Sequence, residues 1–125
     1  MIEDDPAIQD VLQVIFAEEG WQMVGATDGP GGLDQAREHE PSLVILDMNV
    51  PLLSGELVAQ ELHLLYNGIP ILVVTANAQI REDARRARAF GYIKKPFSLN
   101  ALIVAVNAGF TRGRGIAPCS LQEFA

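Results

Sequence analysis

Apolar positions recur along the chain with two periods, and the period assigns the elements. Residues 8, 11, 12, 15 and 16 (Ile, Val, Leu, Ile, Phe) keep the i, i+3, i+4, i+7, i+8 spacing of one helix face, with Asp5 as N-cap, Pro6 at the first helical position and Gly20 as the stop. Residues 22–26 (Gln, Met, Val, Gly, Ala) hold one β-branched residue and an internal glycine, so they predict a weak strand ahead of the turn signal Asp28-Gly29-Pro30. A poor helix over 32–38 follows. Leu43-Val44-Ile45-Leu46 and Ile71-Leu72-Val73-Val74 are unbroken apolar runs, as strands of a parallel sheet covered on both faces require. Between them, residues 56–66 place Val58, Leu62, Leu65 and Tyr66 on one helical face, stopped by Asn67-Gly68. A helix over 80–90, a short strand Tyr92-Ile93-Lys94 and a last helix carrying Leu99, Leu102, Ile103 and Val106 complete the series.

Strands alternate with helices throughout, which predicts an α/β fold: a doubly wound parallel sheet with right-handed crossovers and helices on both faces. Residues 111–125 are broken by glycine and proline and show no period, so they read as a C-terminal tail or the start of a linker.

The 125 residues suffice for one apolar core and not for two, and 49% hydrophobic with 20% charged residues is a globular composition. No apolar run approaches the ~18 residues of a membrane span, and the N-terminus lacks the basic and apolar regions of a secretory signal, so a cytoplasmic address is expected. Cys119 is the single cysteine, which excludes an internal disulfide and a C-x-x-C metal or redox pattern. A net charge of -7 argues against direct nucleic-acid binding, but residues 1–80 hold 13 acidic and one basic side chain (Arg37), whereas residues 81–125 hold 3 acidic and 8 basic.

In open parallel sheets the reactive site lies beyond the carboxyl ends of the strands. Four polar places qualify: Glu3-Asp4-Asp5 before the first helix, Asp47 after Leu46, Thr75 after Val74, and Lys95 after Lys94. Carboxylates gathered within a few Å repel by several kcal/mol at an effective dielectric near ~20, and either take up protons or bind a cation. All-oxygen ligands without His or Cys favour Mg²⁺, with Mn²⁺ as the alternative, and Mg²⁺ commonly joins one or two carboxylates to a phosphate. Asp47 is then the natural nucleophile for an acyl phosphate, with the Lys95 ammonium and Thr75 hydroxyl aimed at the phosphoryl oxygens.

At these residues the sequence resembles the receiver (response-regulator) family over about residues 2–109. The resemblance rests on Glu3-Asp4-Asp5-Pro6, Leu46-Asp47-Met48-Asn49-Val50-Pro51 with Gly55 four residues on, Val74-Thr75-Ala76 and Lys95-Pro96-Phe97, in that order and spacing. It implies a flavodoxin-like fold with strand order 2-1-3-4-5, a receiver domain over 1–110, and a phosphoacceptor of a two-component system rather than an enzyme. By resemblance, Asp47 is phosphorylated by a sensor histidine kinase or phosphotransfer protein. Asp4 ligates Mg²⁺ directly, Glu3 through water, and Asn49 by its backbone carbonyl. Thr75 and Lys95 contact the phosphoryl group, Tyr92 is the switch aromatic, and the Lys95-Pro96 bond is cis. Arg81, Arg85 and Arg88 on the outside of the helix over 80–90 are expected to face a downstream effector protein or domain, with a homodimer through residues 80–110 as a further use of that face.

The sequence departs from the family at its start, where only Met1 and Ile2 precede Glu3. The central first strand is thus nearly missing, a loss expected to exceed a domain's usual margin of about 5 to 15 kcal/mol and pointing to a shortened chain or misplaced start. Arg88 stands where glycine often ends the helix, and Ser54 where aspartate is frequent. Two other functions compete: a pseudo-receiver interaction module without phosphorylation, should the short start misplace Glu3 and Asp4, and a phosphohydrolase with an aspartyl nucleophile. The hydrolase needs an acid two residues after its nucleophile, where this chain has Asn49.

Overall fold

The computed structural model describes residues 1–112 and 121–124. In chain order the elements are α1 (Pro6–Glu18), α2 (Gly29–His39), β1 (Val44–Asp47), α3 (Gly55–Leu65), β2 (Ile71–Thr75), α4 (Ile80–Arg86), β3 (Gly91–Lys94), α5 (Leu99–Arg112) and β4 (Gln122–Phe124). The four strands form one parallel sheet in the order β1-β2-β3-β4. β1 and β2 are buried along their whole length, as their unbroken apolar runs demand. Alternate side chains feed two cores: Leu46, Ile71, Val73 and Tyr92 pack toward α2, α3 and α4, while Ile45, Leu72, Val74 and Ile93 pack toward α1 and α5. Among the described residues, no helix is long and apolar enough to cross a membrane.

The missing first strand survives as one residue. Ile2 bridges in parallel to Ala26 on one side and to Leu46 on the other, which keeps the 2-1-3-4-5 order in outline. Its N–H donates to Ile45 O at 2.8 Å and its carbonyl accepts from Asp47 N at 3.0 Å. Residues 22–26, expected as a strand, form only an isolated bridge at Ala26, with a further bond from the Met1 amine to Val24 O, because so short a neighbour offers little ladder to pair with. Gln9 of α1 supplies part of the missing bonding, its Nε2 donating to Glu3 O and to Ala26 O at 2.7 Å each. Gly32 lets α2 settle onto this remnant, since a Cβ there would collide with Ile2.

Three further elements differ from expectation. Asp28-Gly29-Pro30 opens α2 instead of forming a separate turn, because Asp28 caps the helix through Oδ1 and Gly31 N (2.6 Å) with proline in the first turn. α4 stops at Arg86 rather than near residue 90: Arg88 takes a left-handed conformation (φ 51°) and Ala89 N returns to Ala84 O (3.0 Å). Glycine is the residue that conformation favours. Arg88→Gly is therefore expected to stabilise the domain by about 0.5 to 1 kcal/mol, read as a higher urea midpoint with an unchanged slope. Finally, Gln122–Phe124, within the stretch expected as tail or linker, pairs with β3 as an edge strand. Cys119 lies outside the described residues.

Candidate functional site

The carboxyl ends of β1, β2 and β3 meet the first residues of the chain at one end of the sheet. The ladder bonds of Ile2 fix the backbone just ahead of Glu3, and Asp5 turns the chain away by capping α1 (Ala7 N to Asp5 Oδ1, 3.0 Å). Glu3 is buried (1% exposed) beside buried Asp47 (5%) and Thr75 (0%), while Asp4 between the turns is exposed. Lys95 follows β3, its backbone N–H bound to Thr75 O at 3.0 Å, and the Lys95-Pro96 peptide is cis. The Lys95 ammonium donates to Glu3 Oε2 at 2.7 Å and to Asp47 Oδ2 at 2.8 Å. The second Asp47 oxygen, Oδ1, accepts from Asn49 N at 2.9 Å. Both oxygens of the expected nucleophile are thus held by fixed donors.

One ammonium shared between two buried carboxylates leaves uncompensated negative charge. Burial, helped by the Asp47 carboxylate and opposed by Lys95, pushes the Glu3 carboxyl up to about 7. Burial works against the Lys95 charge, but Asp47 and Glu3 outweigh it and hold the ammonium above its usual range. One oxygen each from Glu3, Asp4 and Asp47 lies within 4.8 Å of the others. A hard, oxygen-seeking divalent cation fits that donor set and the residual charge.

Thr75 Oγ1 accepts from Asn49 Nδ2 and from Asn77 N, both at 3.3 Å, which engages its lone pairs and leaves its proton to donate. Asn49 and Asn77 also pair side chain to side chain, Asn49 Nδ2 to Asn77 Oδ1 at 2.8 Å and Asn77 Nδ2 to Asn49 Oδ1 at 3.2 Å. Asn77 Nδ2 continues to Asp83 Oδ2 on α4 at 3.2 Å. The resemblance gives Asn49 a carbonyl ligand role and places Asn49 and Asn77 at positions that influence how long the phosphate survives, but it does not point to Asp83. The amide pair itself has a local cause: both asparagines stand two residues beyond the strand-end residues Asp47 and Thr75 of neighbouring strands.

The structure brings Glu3, Asp47 and Lys95 into direct hydrogen-bond contact, sets Asp4 beside them, and joins Thr75 through Asn49. Tyr92 lies apart, 4% exposed and in the same core cluster as Val73, Ile80, Ala84 and Ala87. Arg81, Arg85, Arg86 and Arg88 are exposed around α4, with Arg85 and Arg86 reaching Glu82 at 3.7 and 3.5 Å.

Residues 1–107 match the response regulator receiver domain family. The chain belongs to that family: it is a receiver domain of the two-component response regulators, and a phosphoacceptor role fits it. The transcriptional regulatory protein PdtaR of Mycobacterium tuberculosis is 38% identical over 117 residues, covering 91% of this chain and 57% of that protein. PrrA of Mycobacterium bovis, also a transcriptional regulatory protein, is 31% identical over 125 residues, covering 98% of this chain and 53% of that one. The chain spans about half the length of such relatives. Among solved structures, a CheY-like response regulator receiver domain protein from Methanospirillum hungatei superposes with a TM-score of 0.82 at 25% identity, covering 89% of this chain and 90% of that one. Response regulator TrrA from Thermotoga maritima, in complex with Mg²⁺-BeF, gives 0.76 at 28% identity, covering 86% and 93%. Proteins of this family are not typically enzymes; receiver domains bind Mg²⁺ at an acidic pocket and interact with histidine kinases and effector domains.

Proposed function

We propose that Asp47 is the phosphoacceptor of this receiver and that Glu3, Asp4 and Asp47, with the Asn49 carbonyl, hold a Mg²⁺ ion, Mn²⁺ being the substitute. The observation that carries the reading is the position of the Asp47 carboxylate, buried at a strand end between the Lys95 ammonium and two further acids. In this reading an Asp47 oxygen attacks phosphorus, an O–P bond forms, and the donor's bond to phosphorus breaks. Lys95 is placed to follow charge onto the phosphoryl oxygens, and the Thr75 hydroxyl has its proton available for one of them. Bound Mg²⁺ would supply charge neutralisation at those oxygens. Asn49 provides no general acid, which disfavours a hydrolase.

Labelling by a small phosphodonor such as acetyl phosphate tests the reading. A single phosphoryl adduct that requires Mg²⁺ and vanishes on chelation is expected, whereas continuous release of phosphate from many substrates without an adduct would favour the hydrolase.

The Glu3 carboxyl sets a pH dependence. Its folded value, about 7, stands above its ordinary 4.5, so the metal-free fold holds this proton more tightly than the unfolded chain. Its stabilising contribution is complete below about 4.5 and is lost as pH rises through about 7. Mg²⁺ binds the deprotonated acid, so the opposite trend is expected for the metal: calorimetric Mg²⁺ affinity should fall by up to about tenfold per pH unit below 7 and level off above it. A flat affinity between pH 5.5 and 8 would remove Glu3 from the ligand set.

The phosphodonor in the cell is taken to be a histidine kinase or phosphotransfer protein of the cytoplasm, and the receiver of the signal an effector domain or protein meeting the α4 face. Exposed Arg81, Arg85 and Arg88 support that face, and charge reversal at Arg81 and Arg85 is expected to weaken partner binding while leaving phosphodonor labelling intact.

A further inference from the structure

The geometry points to a strand-acceptor site along the edge of β3, filled within the chain by residues 121–124 and able to take the same segment from a second copy. β4 does more than lie beside the sheet. Gly91, Tyr92 and Ile93 pair in parallel with Gln122, Glu123 and Phe124, and Gln122 N donates to Phe90 O at 3.2 Å. Leu121 packs against the core on the α4 side, whereas Phe124 is buried (7% exposed) in the core on the α5 side, its ring 6.2 Å from that of Phe90. Four residues thus place one apolar anchor on each face of the sheet.

Gly91 shows that the seat is shaped for this occupant. It does not belong to the glycines with positive φ, and in a buried strand a β-branched side chain would be the favoured choice. A Cβ at position 91, however, would collide with the Phe124 ring and come within 2.8 Å of Gln122 O. The absence of a side chain at 91 is therefore explained by the approach of β4 and by no demand of the β3 backbone itself.

An uncovered β3 would present a row of free backbone donors and acceptors beside an apolar notch, which is the chemistry of strand addition. The ligand it takes is an extended segment with apolar side chains at its first and fourth positions, Leu-Gln-Glu-Phe. Each copy carries both the acceptor and that segment, so two copies are complementary by identity, which is the requirement for exchange of an element between protomers. Within one chain the tether keeps the segment at an effective concentration near ~1 mM, so the closed monomer is the ground state and exchange appears when the closure is broken.

Two single variants of the full chain separate the halves. Phe124→Asp leaves an open acceptor with a disabled segment, and Gly91→Val leaves a blocked acceptor with a free intact segment. Sedimentation at about 200 μM is expected to show each variant monomeric alone and a 1:1 heterodimer on mixing, since that concentration no longer competes with an intramolecular strand. A labelled peptide of residues 120–125 should bind Phe124→Asp at least about tenfold more tightly than the unaltered chain, whose own segment competes. A mixture that stays monomeric, or equal peptide binding by the two proteins, would overturn the proposal. Should either variant fail to fold, Phe124→Ala and Gly91→Ala take their places in the same mixing and peptide experiments, with the same expected and overturning results.

Discussion

Extending the chain upstream of Met1 by four apolar residues in register, as a strand covered on both faces requires, raises the melting temperature by about 10 °C or more. A cavity of about 420 Å³ lies where such a segment would run, lined by Met1, Val24, Ala26, Val44 and Ile45 among others. The ladder already points into it: Ile2 pairs on both sides, and the Met1 amine donates to Val24 O at 2.7 Å, as a strand amide would. Gln35 Oε1, a buried oxygen without a hydrogen-bond partner, belongs to a residue lining the same cavity. Apolar side chains seated there would remove the surrounding surface from water, at about 25 cal/mol for each Å² of apolar area covered. Burial also pushes the Met1 amine down to about 6 from 8.0, so its contribution to stability is complete only above the unfolded value and becomes a cost as pH falls through 6. An uncharged amide in its place removes that cost, and the gain from extension should be greatest at low pH. Calorimetry on both chains at pH 5.5 and 8 measures this; equal melting temperatures would mean that the cavity does not limit the fold.

Lys95→Met produces the largest loss at the site. It removes the ammonium from 2.7 Å of Glu3 and 2.8 Å of Asp47 and leaves two buried carboxylates facing each other. Breaking a buried pair from one side costs about 3 to 5 kcal/mol, moderated here because Glu3 protonates readily. The Glu3 carboxyl should move further up, so destabilisation should be larger at pH 8 than at pH 6. Phosphodonor labelling should slow by about 100-fold, the usual loss when one donor to a developing phosphoryl charge is removed. Labelling at the unaltered rate would show that Lys95 serves the fold alone.

Strands β1 and β2 were legible because both are buried along their whole length and their sequences run apolar up to the polar residue that closes each. The site was legible for the same reason: a polar residue closing such a run, as Asp47 and Thr75 do, has few places to point. Other features depended on what the chain meets in space. Residues 22–26 have some strand character but little ladder to complete, so they reach no further than Val24 O and the bridge at Ala26. The end of α4 turns on one residue, Arg88, adopting a conformation that its side chain disfavours. β4 carries no signal of its own in three residues after glycine and proline, and what reveals it is the lack of a side chain at Gly91, far from it along the chain and paired with Gln122 across the sheet. The burial of Glu3 in preference to Asp4 follows from the bonds that fix Ile2, which no local pattern announces.

Asp47 is proposed to receive the phosphoryl group. Intact-mass and peptide-level spectrometry of the full chain and of Asp47→Asn, each treated with acetyl phosphate and Mg²⁺, addresses it directly. One adduct on the peptide containing Asp47, absent from Asp47→Asn, is the expected result; an adduct that persists in Asp47→Asn, or a folded unaltered chain that takes up none, would contradict it.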